Sequence, residues 1–410
     1  MTLLPSRNRV VRFFLITALF LSTASFSQTI LNLGLFNVDG SPACASSANS
    51  QGLIICVVSA SGSLVAAAVK VPPGTTGTTA VISGVVPMTL NLGTGGSVRN
   101  SSCASTADSS GDVVCAITNG GVLTGIRFNV ANRKIYPLQN LGLPDVDGNA
   151  SCFNANDRFS VAGPPTTEGP EGATICAVRG GANILRQVAF NPASGYLAVA
   201  NVDSPPELLR FDPGCVRAPD ATNEVICAWA NFNQGSGIQA GAIDPRISFV
   251  SSQPFPLFFT GQQFFVGTPG CANPVDNSGM VLCLATDITG AALGFALDPR
   301  TGAAFQVNLS GKSGISPYFD FSPSCASAGG KGGPTQGQII CAALEGAFNT
   351  LDAYRFDPRT GEVHFLQFGQ APPIVGNASC TFENINPGQV SCGIIDGTNH
   401  NRLEIVLLLP

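Results

Sequence analysis

Ser102-Cys103-Ala104, then a polar loop, then Val113-Val114-Cys115-Ala116-Ile117: this stretch decides the fold. Two cysteines stand twelve positions apart, the first in a small-residue segment and the second inside an apolar run. The spacing recurs as Cys44 with Cys56, Cys215 with Cys227, Cys271 with Cys283 and Cys380 with Cys392. Cys152 with Cys176 and Cys325 with Cys341 are longer copies, and the seven pairs use all fourteen cysteines. With no Cys-x-x-Cys and only two histidines, the pattern reads as seven structural disulfides, Cys44–Cys56, Cys103–Cys115, Cys152–Cys176, Cys215–Cys227, Cys271–Cys283, Cys325–Cys341 and Cys380–Cys392, and as no metal site.

The first cysteines fall at 44, 103, 152, 215, 271, 325 and 380, a step of 49 to 63 residues. Such a period marks a supersecondary unit that buries its faces only against its neighbours. Each unit reads as a small-residue segment, a loop, and an apolar strand such as Val225-Ile226-Cys227-Ala228-Trp229 or Ile339-Ile340-Cys341-Ala342. A third strand follows, ending in Phe295-x-Leu297 or Tyr354-x-Phe356, and then a turn, clearest as Asp298-Pro299-Arg300-Thr301-Gly302 and Asp357-Pro358-Arg359-Thr360-Gly361. A fourth strand such as Val363-His364-Phe365-Leu366 closes the unit. The apolar runs do not alternate, as befits strands covered on both faces. Four antiparallel strands repeated seven times predict an all-β, seven-bladed β-propeller with one hairpin disulfide per blade. The seventh unit ends after its third strand, and Thr29-Ile30-Leu31-Asn32-Leu33-Gly34 is the expected missing fourth strand that closes the ring. An outer-membrane barrel is disfavoured, because its strands would alternate lipid-facing and lumen-facing residues. The third unit carries an insertion with Gly163-Pro164-Pro165 and Glu168-Gly169-Pro170-Glu171-Gly172, read as a surface loop.

Ahead of the repeats, Arg7, Arg9 and Arg12, the apolar Phe13 to Leu21 and the small residues from Ser22 to Ser27 have the form of a signal peptide over 1–27. The mature chain, 28–410, is then one domain, secreted to a periplasmic or extracellular space, with no membrane span after cleavage. The net charge of −5 is spread along the chain, which disfavours nucleic acid as a partner.

Chemistry-bearing motifs are sparse. His364 falls in a predicted fourth strand and His400 in a loop, and neither stands in a nucleophile motif. Asp145-x-Asp147-Gly148-Asn149 sets oxygen atoms at alternate positions, as at the start of a calcium loop, but its glycine is misplaced and no terminal Glu follows. Asn37-x-Asp39-Gly40 and Gly376-Asn377 take the same place before their cysteines, so a repeated turn accounts for these residues. In the Asp-Pro-Arg-Thr-Gly turns the geometry explains Asp, Pro and Gly. It leaves Arg246, Arg300 and Arg359 as possible anion contacts. Propeller topology places the loops between second and third strands, and between units, on one face. Candidate ligand-binding residues there are Asp39, Asp145, Asp147, Asn149, Asp320, Asn377 and Asp396. No catalytic residue and no cofactor is assigned.

The Leu-Gly pairs before some small-residue segments, and the Gly ahead of several third strands, resemble the secreted seven-bladed propeller lectins of the bacterial PLL type. Those lectins carry Trp-rich sugar pockets between blades, whereas Trp229 is single here; Tyr318 and Phe319 are aromatic substitutes. The Asp-x-x-Thr-Gly turns also resemble quinoprotein-type propeller repeats, but the Trp after the turn is absent and no quinone cofactor is inferred. Export, a ring of repeats offering several similar grooves between units, and the lack of a catalytic constellation point to a non-catalytic module that binds glycan or another cell-surface polymer. The alternatives are an envelope scaffold for protein partners and a hydrolase or lyase with acids at the channel mouth.

Overall fold

The computed structural model describes residues 29–35, 37–47, 53–60, 63–71, 88–90, 98–106, 110–154, 174–191, 196–201, 209–217, 225–230, 237–243, 253–255, 265–274, 278–307, 322–328, 337–345, 349–357, 360, 362–366, 373–382, 389–398 and 401–408. Within them lie seven antiparallel four-stranded sheets. Sheet 1 is Ala43–Ser46, Leu53–Ala60, Ser63–Lys70 and Met88–Leu90; sheet 2 is Val98–Ser105, Val113–Asn119, Val122–Asn129 and Lys134–Pro144. Sheet 3 is Ser151–Asn154, Thr174–Arg179, Leu185–Asn191 and Tyr196–Asn201; sheet 4 is Gly214–Arg217, Val225–Ala230, Ile238–Ile243 and Gln253–Phe255. Sheet 5 is Phe265–Ala272, Val281–Asp287, Ala292–Asp298 and Ala303–Val307; sheet 6 is Ser324–Ser327, Ile339–Glu345, Thr350–Asp357 and Glu362–Leu366. Sheet 7 takes Ser379–Phe382, Val390–Asp396 and Arg402–Leu408 from the end of the chain and Thr29–Leu35 from its beginning, with Thr29 opposite Leu407.

Every cysteine pair is bonded, first strand to second, at directly opposed positions whose Cα atoms are 4.0–4.1 Å apart. That short spacing belongs to the narrow, non-hydrogen-bonded pairs of an antiparallel ladder. Seven disulfides suit an oxidising extracellular or periplasmic environment. Among the described residues no helix is long and apolar enough to cross a membrane.

The core is divided into layers between successive sheets. Ile55, Val57 and Ala66 of sheet 1 pack against Val113, Ile117 and Phe128 of sheet 2. Equivalent clusters lie between sheets 2 and 3, 3 and 4, 4 and 5, 5 and 6, and 6 and 7. A further one sets Ile54, Cys56 and Val58 of sheet 1 against Ile405 and Leu407 of sheet 7 and Leu33 of the N-terminal strand. Second strands therefore bury both faces, as in the wholly buried pattern of Val225–Ala230, and a run without alternation follows. Each fully buried Val, Ile or Leu is worth about 1.5–3 kcal/mol, so these layers outweigh any single polar contact. The fourth strands of sheets 5 and 6 face outward, leaving Phe305 and Phe365 exposed.

Segments entering five of the sheets repeat a feature that composition hides. Six residues before the first cysteine stands a buried apolar side chain: Val38, Val146, Leu209, Phe265 or Ile374. The backbone N–H groups of Val38, Val146, Leu209 and Ile374 donate to carbonyls of Asn401, Gly121, Asn183 and Asn349 in the preceding sheet's turn. The next N–H, of Asp39, Asp147, Arg210 or Val375, donates to the second strand of its own sheet. These four linkers are thus bonded to two sheets at once.

Candidate functional site

The first strands of consecutive sheets touch, and that of sheet 7 touches that of sheet 1. They line a cavity of about 430 Å³ to which all seven sheets contribute. Two sets of hydrogen bonds cross between sheets along its wall. In one, the serine just before a first cysteine accepts from the next sheet's cysteine N–H: Ser102 from Cys152 at 2.9 Å, Ser151 from Cys215 at 3.0 Å, Ser324 from Cys380 at 2.9 Å and Ser379 from Cys44 at 2.9 Å. The other runs the opposite way, three residues before the cysteine. Ser41 Oγ accepts from the Asn377 N–H at 2.9 Å, Ser322 Oγ from the Thr268 N–H at 2.7 Å, and the Asp212 carboxylate from the Asn149 N–H.

Where glycine replaces the serine, space is the reason. A Cβ on Gly214 would lie 1.8 Å from the Pro269 carbonyl oxygen, and one on Gly270 2.3 Å from that of Pro323. Burial pushes the Asp212 carboxyl up from the ordinary carboxylate range, against the opposing pull of the Asn149 N–H and of Arg179, whose Nε lies 3.4 Å away.

The sequence-nominated residues separate into three groups. Asn149 and Asn377 line the cavity, and their backbones serve the second set of bonds. Asp39, Asp145 and Asp147 are exposed on the linkers. Asp145 takes the left-handed conformation (φ 62°), as Asn37 does at the matching position (φ 58°), which accords with a repeated turn. Asp396 is buried and accepts from the Thr398 N–H at 2.8 Å and from Arg402 at 3.1 Å, so it caps a turn and holds an ion pair. Arg300 is exposed and bonded within its own turn, to Asp298 at 3.3 Å. Burial raises the Asp298 carboxyl's pKa, but the Arg300 backbone and side-chain bonds outweigh this and hold it low. Asp320, Arg246, Arg359, His400, Tyr318, Phe319, the insertion at 163–172 and the segment 1–27 lie outside the described residues. His364 is exposed beside Glu362 at 3.7 Å.

Sequence reading missed one position. On each third strand, the residue two before the partner of the second cysteine faces the preceding sheet. In order these are Val65, Thr124, Arg186, Gln239, Leu293, Asp352 and Glu404. The similar grooves expected between units differ here: one backbone site carries seven different side chains, two aliphatic, two carboxylate and one each of hydroxyl, guanidinium and amide. Arg186 donates to the Pro144 carbonyl at 2.7 Å. Glu404 is bonded by Arg402, and burial nevertheless raises its pKa. Asp352 is pushed up to about 6 by burial and then by the charge of Glu345, with the Tyr354 hydroxyl 3.4 Å away. Only the strand register, worked out cysteine by cysteine, would have revealed the set.

No protein-family model and no curated protein matches this chain. Solved structures do resemble it. AofleA from Arthrobotrys oligospora shares 11% identity, covering 85% of this chain and 93% of that one with a TM-score of 0.51. A variant of the alpha-L-arabinofuranosidase Arb93A from Fusarium graminearum, in complex with an iminosugar inhibitor, shares 9% over 76% and 93%, with a TM-score of 0.50. A variant of the Aleuria aurantia lectin in complex with Fucalpha1-6GlcNAc shares 10% over 81% and 97%, at 0.48. Such structural neighbours are β-propeller proteins, and likeness at this level concerns the fold alone.

Proposed function

We propose that the seven sheets are the blades of one seven-bladed β-propeller over 28–410, exported by a signal peptide at 1–27 and closed by the strand Thr29–Leu35. The closed order of first-strand contacts supports this reading, as do the Ser379 to Cys44 bond and the layer between sheets 7 and 1. The protein acts as a secreted, non-catalytic binding module for glycan or another cell-surface polymer. The observation that carries this is the third-strand groove position: five of its seven residues, Thr124, Arg186, Gln239, Asp352 and Glu404, are polar. All of these but Glu404 are partly exposed, so hydrogen-bonding groups sit between blades within reach of solvent. A glycan array and a pull-down on cell-wall polymers, with the oxidised protein, test it. Saccharide retention is expected; blanks in both overturn the reading.

One observation favours a second reading, a hydrolase or lyase. Glu345 and Asp352 lie close enough for the charge of one to raise the pKa of the other, a pattern common to acid–base sites. It requires turnover of a polysaccharide that is lost in Asp352→Asn and Glu345→Gln; binding without turnover leaves the module reading in place.

A further inference from the structure

Two exposed aromatic side chains look into one groove from opposite walls. Phe305 lies opposite Ala296 on the fourth strand of sheet 5, and Ala296 and Val307 pack into the layer against sheet 6. Opposed residues of a ladder share a face, so Phe305 is turned towards sheet 6. Phe365 lies opposite Tyr354, which enters the same layer from the other side, so Phe365 is turned towards sheet 5. Phe305 is 55% exposed and Phe365 45%. The floor between them is apolar, formed by Val307, Val363 and Tyr354.

Along the third strand of sheet 6 the same groove turns acidic. Asp352 stands two residues before Tyr354 and shares its face, and Glu345, opposite Thr350, shares it too. Tyr354 joins the two parts: its ring centroid is 5.1 Å from that of Phe365, and its hydroxyl donates to Asp352 Oδ2 at 3.4 Å. Glu345 accepts from the Thr350 hydroxyl at 3.1 Å. Among the described residues no Lys, Arg or His forms an ion pair with either carboxylate. Leu282, Leu284 and Ala292, which meet them from sheet 5, carry no charge. Both acids are partly exposed.

This pairing of an apolar wall with unneutralised acids selects a chemistry. A sugar hydroxyl would donate a hydrogen bond yet leave two like charges opposed, whereas an ammonium or guanidinium cancels the repulsion. Phenylalanine and tyrosine faces accept an apolar side chain and also attract a cation. In an extended peptide, residues two apart point the same way about 7 Å from each other, the step that separates Asp352 from Tyr354 along their own strand. The chain's net charge of −5 favours the approach of a basic partner. We propose that the outer groove between sheets 5 and 6 docks a basic segment of a partner protein, with a Lys or Arg side chain at Glu345 and Asp352 and an apolar side chain between Phe305 and Phe365. Such docking needs no saccharide and stands apart from the glycan reading.

The experiment follows a labelled synthetic peptide alternating lysine with phenylalanine by fluorescence anisotropy against the oxidised protein. A peptide of the same length alternating glutamate with phenylalanine is the comparator. Saturable, salt-sensitive binding of the lysine peptide and none of the glutamate peptide are expected. Asp352→Asn with Glu345→Gln should weaken binding by about tenfold, the scale of a lost interface anchor, and so should Phe305→Ser with Phe365→Ser. The melting temperature of the serine variant should stay close to the parent's, because both rings already face water. Tyr136→Ser removes another exposed aromatic, from the fourth strand of sheet 2, and should leave peptide binding intact. Absence of lysine-peptide binding, binding that survives both pairs of substitutions, or an equal loss in Tyr136→Ser overturns the site. A dimer in sedimentation that the serine variant abolishes assigns the groove to a second copy instead, and loss of saccharide retention in that variant assigns it to glycan; either overturns the docking of a basic segment. Peptide binding with blank glycan arrays removes the glycan reading and leaves this one.

Discussion

Gly393 shows how closely the sheets approach at the scale of one residue. It follows Cys392 on the second strand of sheet 7, and a Cβ there would lie 2.4 Å from Cys44 Sγ and 3.4 Å from Cys56 Sγ. The disulfide of sheet 1 occupies the space a side chain would need. Gly393→Ala should therefore cost about 1–3 kcal/mol, the usual range for overpacking, read as a lower denaturation midpoint with all seven disulfides intact. Asp352 offers a pH test. Its folded pKa, pushed up to about 6, stands above the ordinary aspartate value of 3.8, so the folded state holds the proton more tightly than the unfolded chain does. This group's contribution is fully present below the unfolded pKa and is lost as pH rises towards 6. Asp352→Asn should flatten that part of the profile, so the variant-minus-parent melting temperature rises between pH 4 and pH 6.5. A difference independent of pH would count against the raised pKa.

At the scale of the element, the hairpin of first and second strands is the repeated part, and its cross-link closes a loop with a separation of 12 residues in five copies. Such a loop is worth about 2–3 kcal/mol on the chain-entropy model. The serine before the first cysteine adds a second function, accepting a backbone N–H from the next sheet. Ser379→Ala removes that acceptor at the contact between sheets 7 and 1. It should cost about 0.5–1.5 kcal/mol, detectable by denaturant titration, with faster amide exchange at Cys44. The small-residue segments were visible in the sequence; the direction of their bonds was not. Ser102, Ser151, Ser324 and Ser379 all precede a cysteine, but Ala43, Gly214 and Gly270 stand at the same position. What distinguishes the two glycines is the distance to a neighbouring carbonyl, which no spacing along one chain encodes.

At the scale of the whole molecule, the chain's two ends meet in sheet 7. Leu33 is buried against Ile405 and Leu407, so Leu33→Asp places a charge in that layer. It should lower the melting temperature by several degrees and raise light scattering, since a loosened strand exposes a pairing edge. An unchanged melting temperature would show that the strand adds nothing to the sheet.

The sequence by itself determined the period, the cysteine partners, the strand character and the N-terminal segment as a candidate fourth strand. Each follows from local spacing or from the two-sided burial of a short apolar run. Only the tertiary structure decided which side chains meet between sheets. It assigned Asp396 to a turn cap and ion pair, brought Asp352 under the charge of Glu345, and set Phe305 and Phe365 on facing walls of one groove. The physical reason is that a repeated backbone presents the same position seven times. What that position faces depends on strand register and on the neighbouring sheet, and these are properties of the packed molecule.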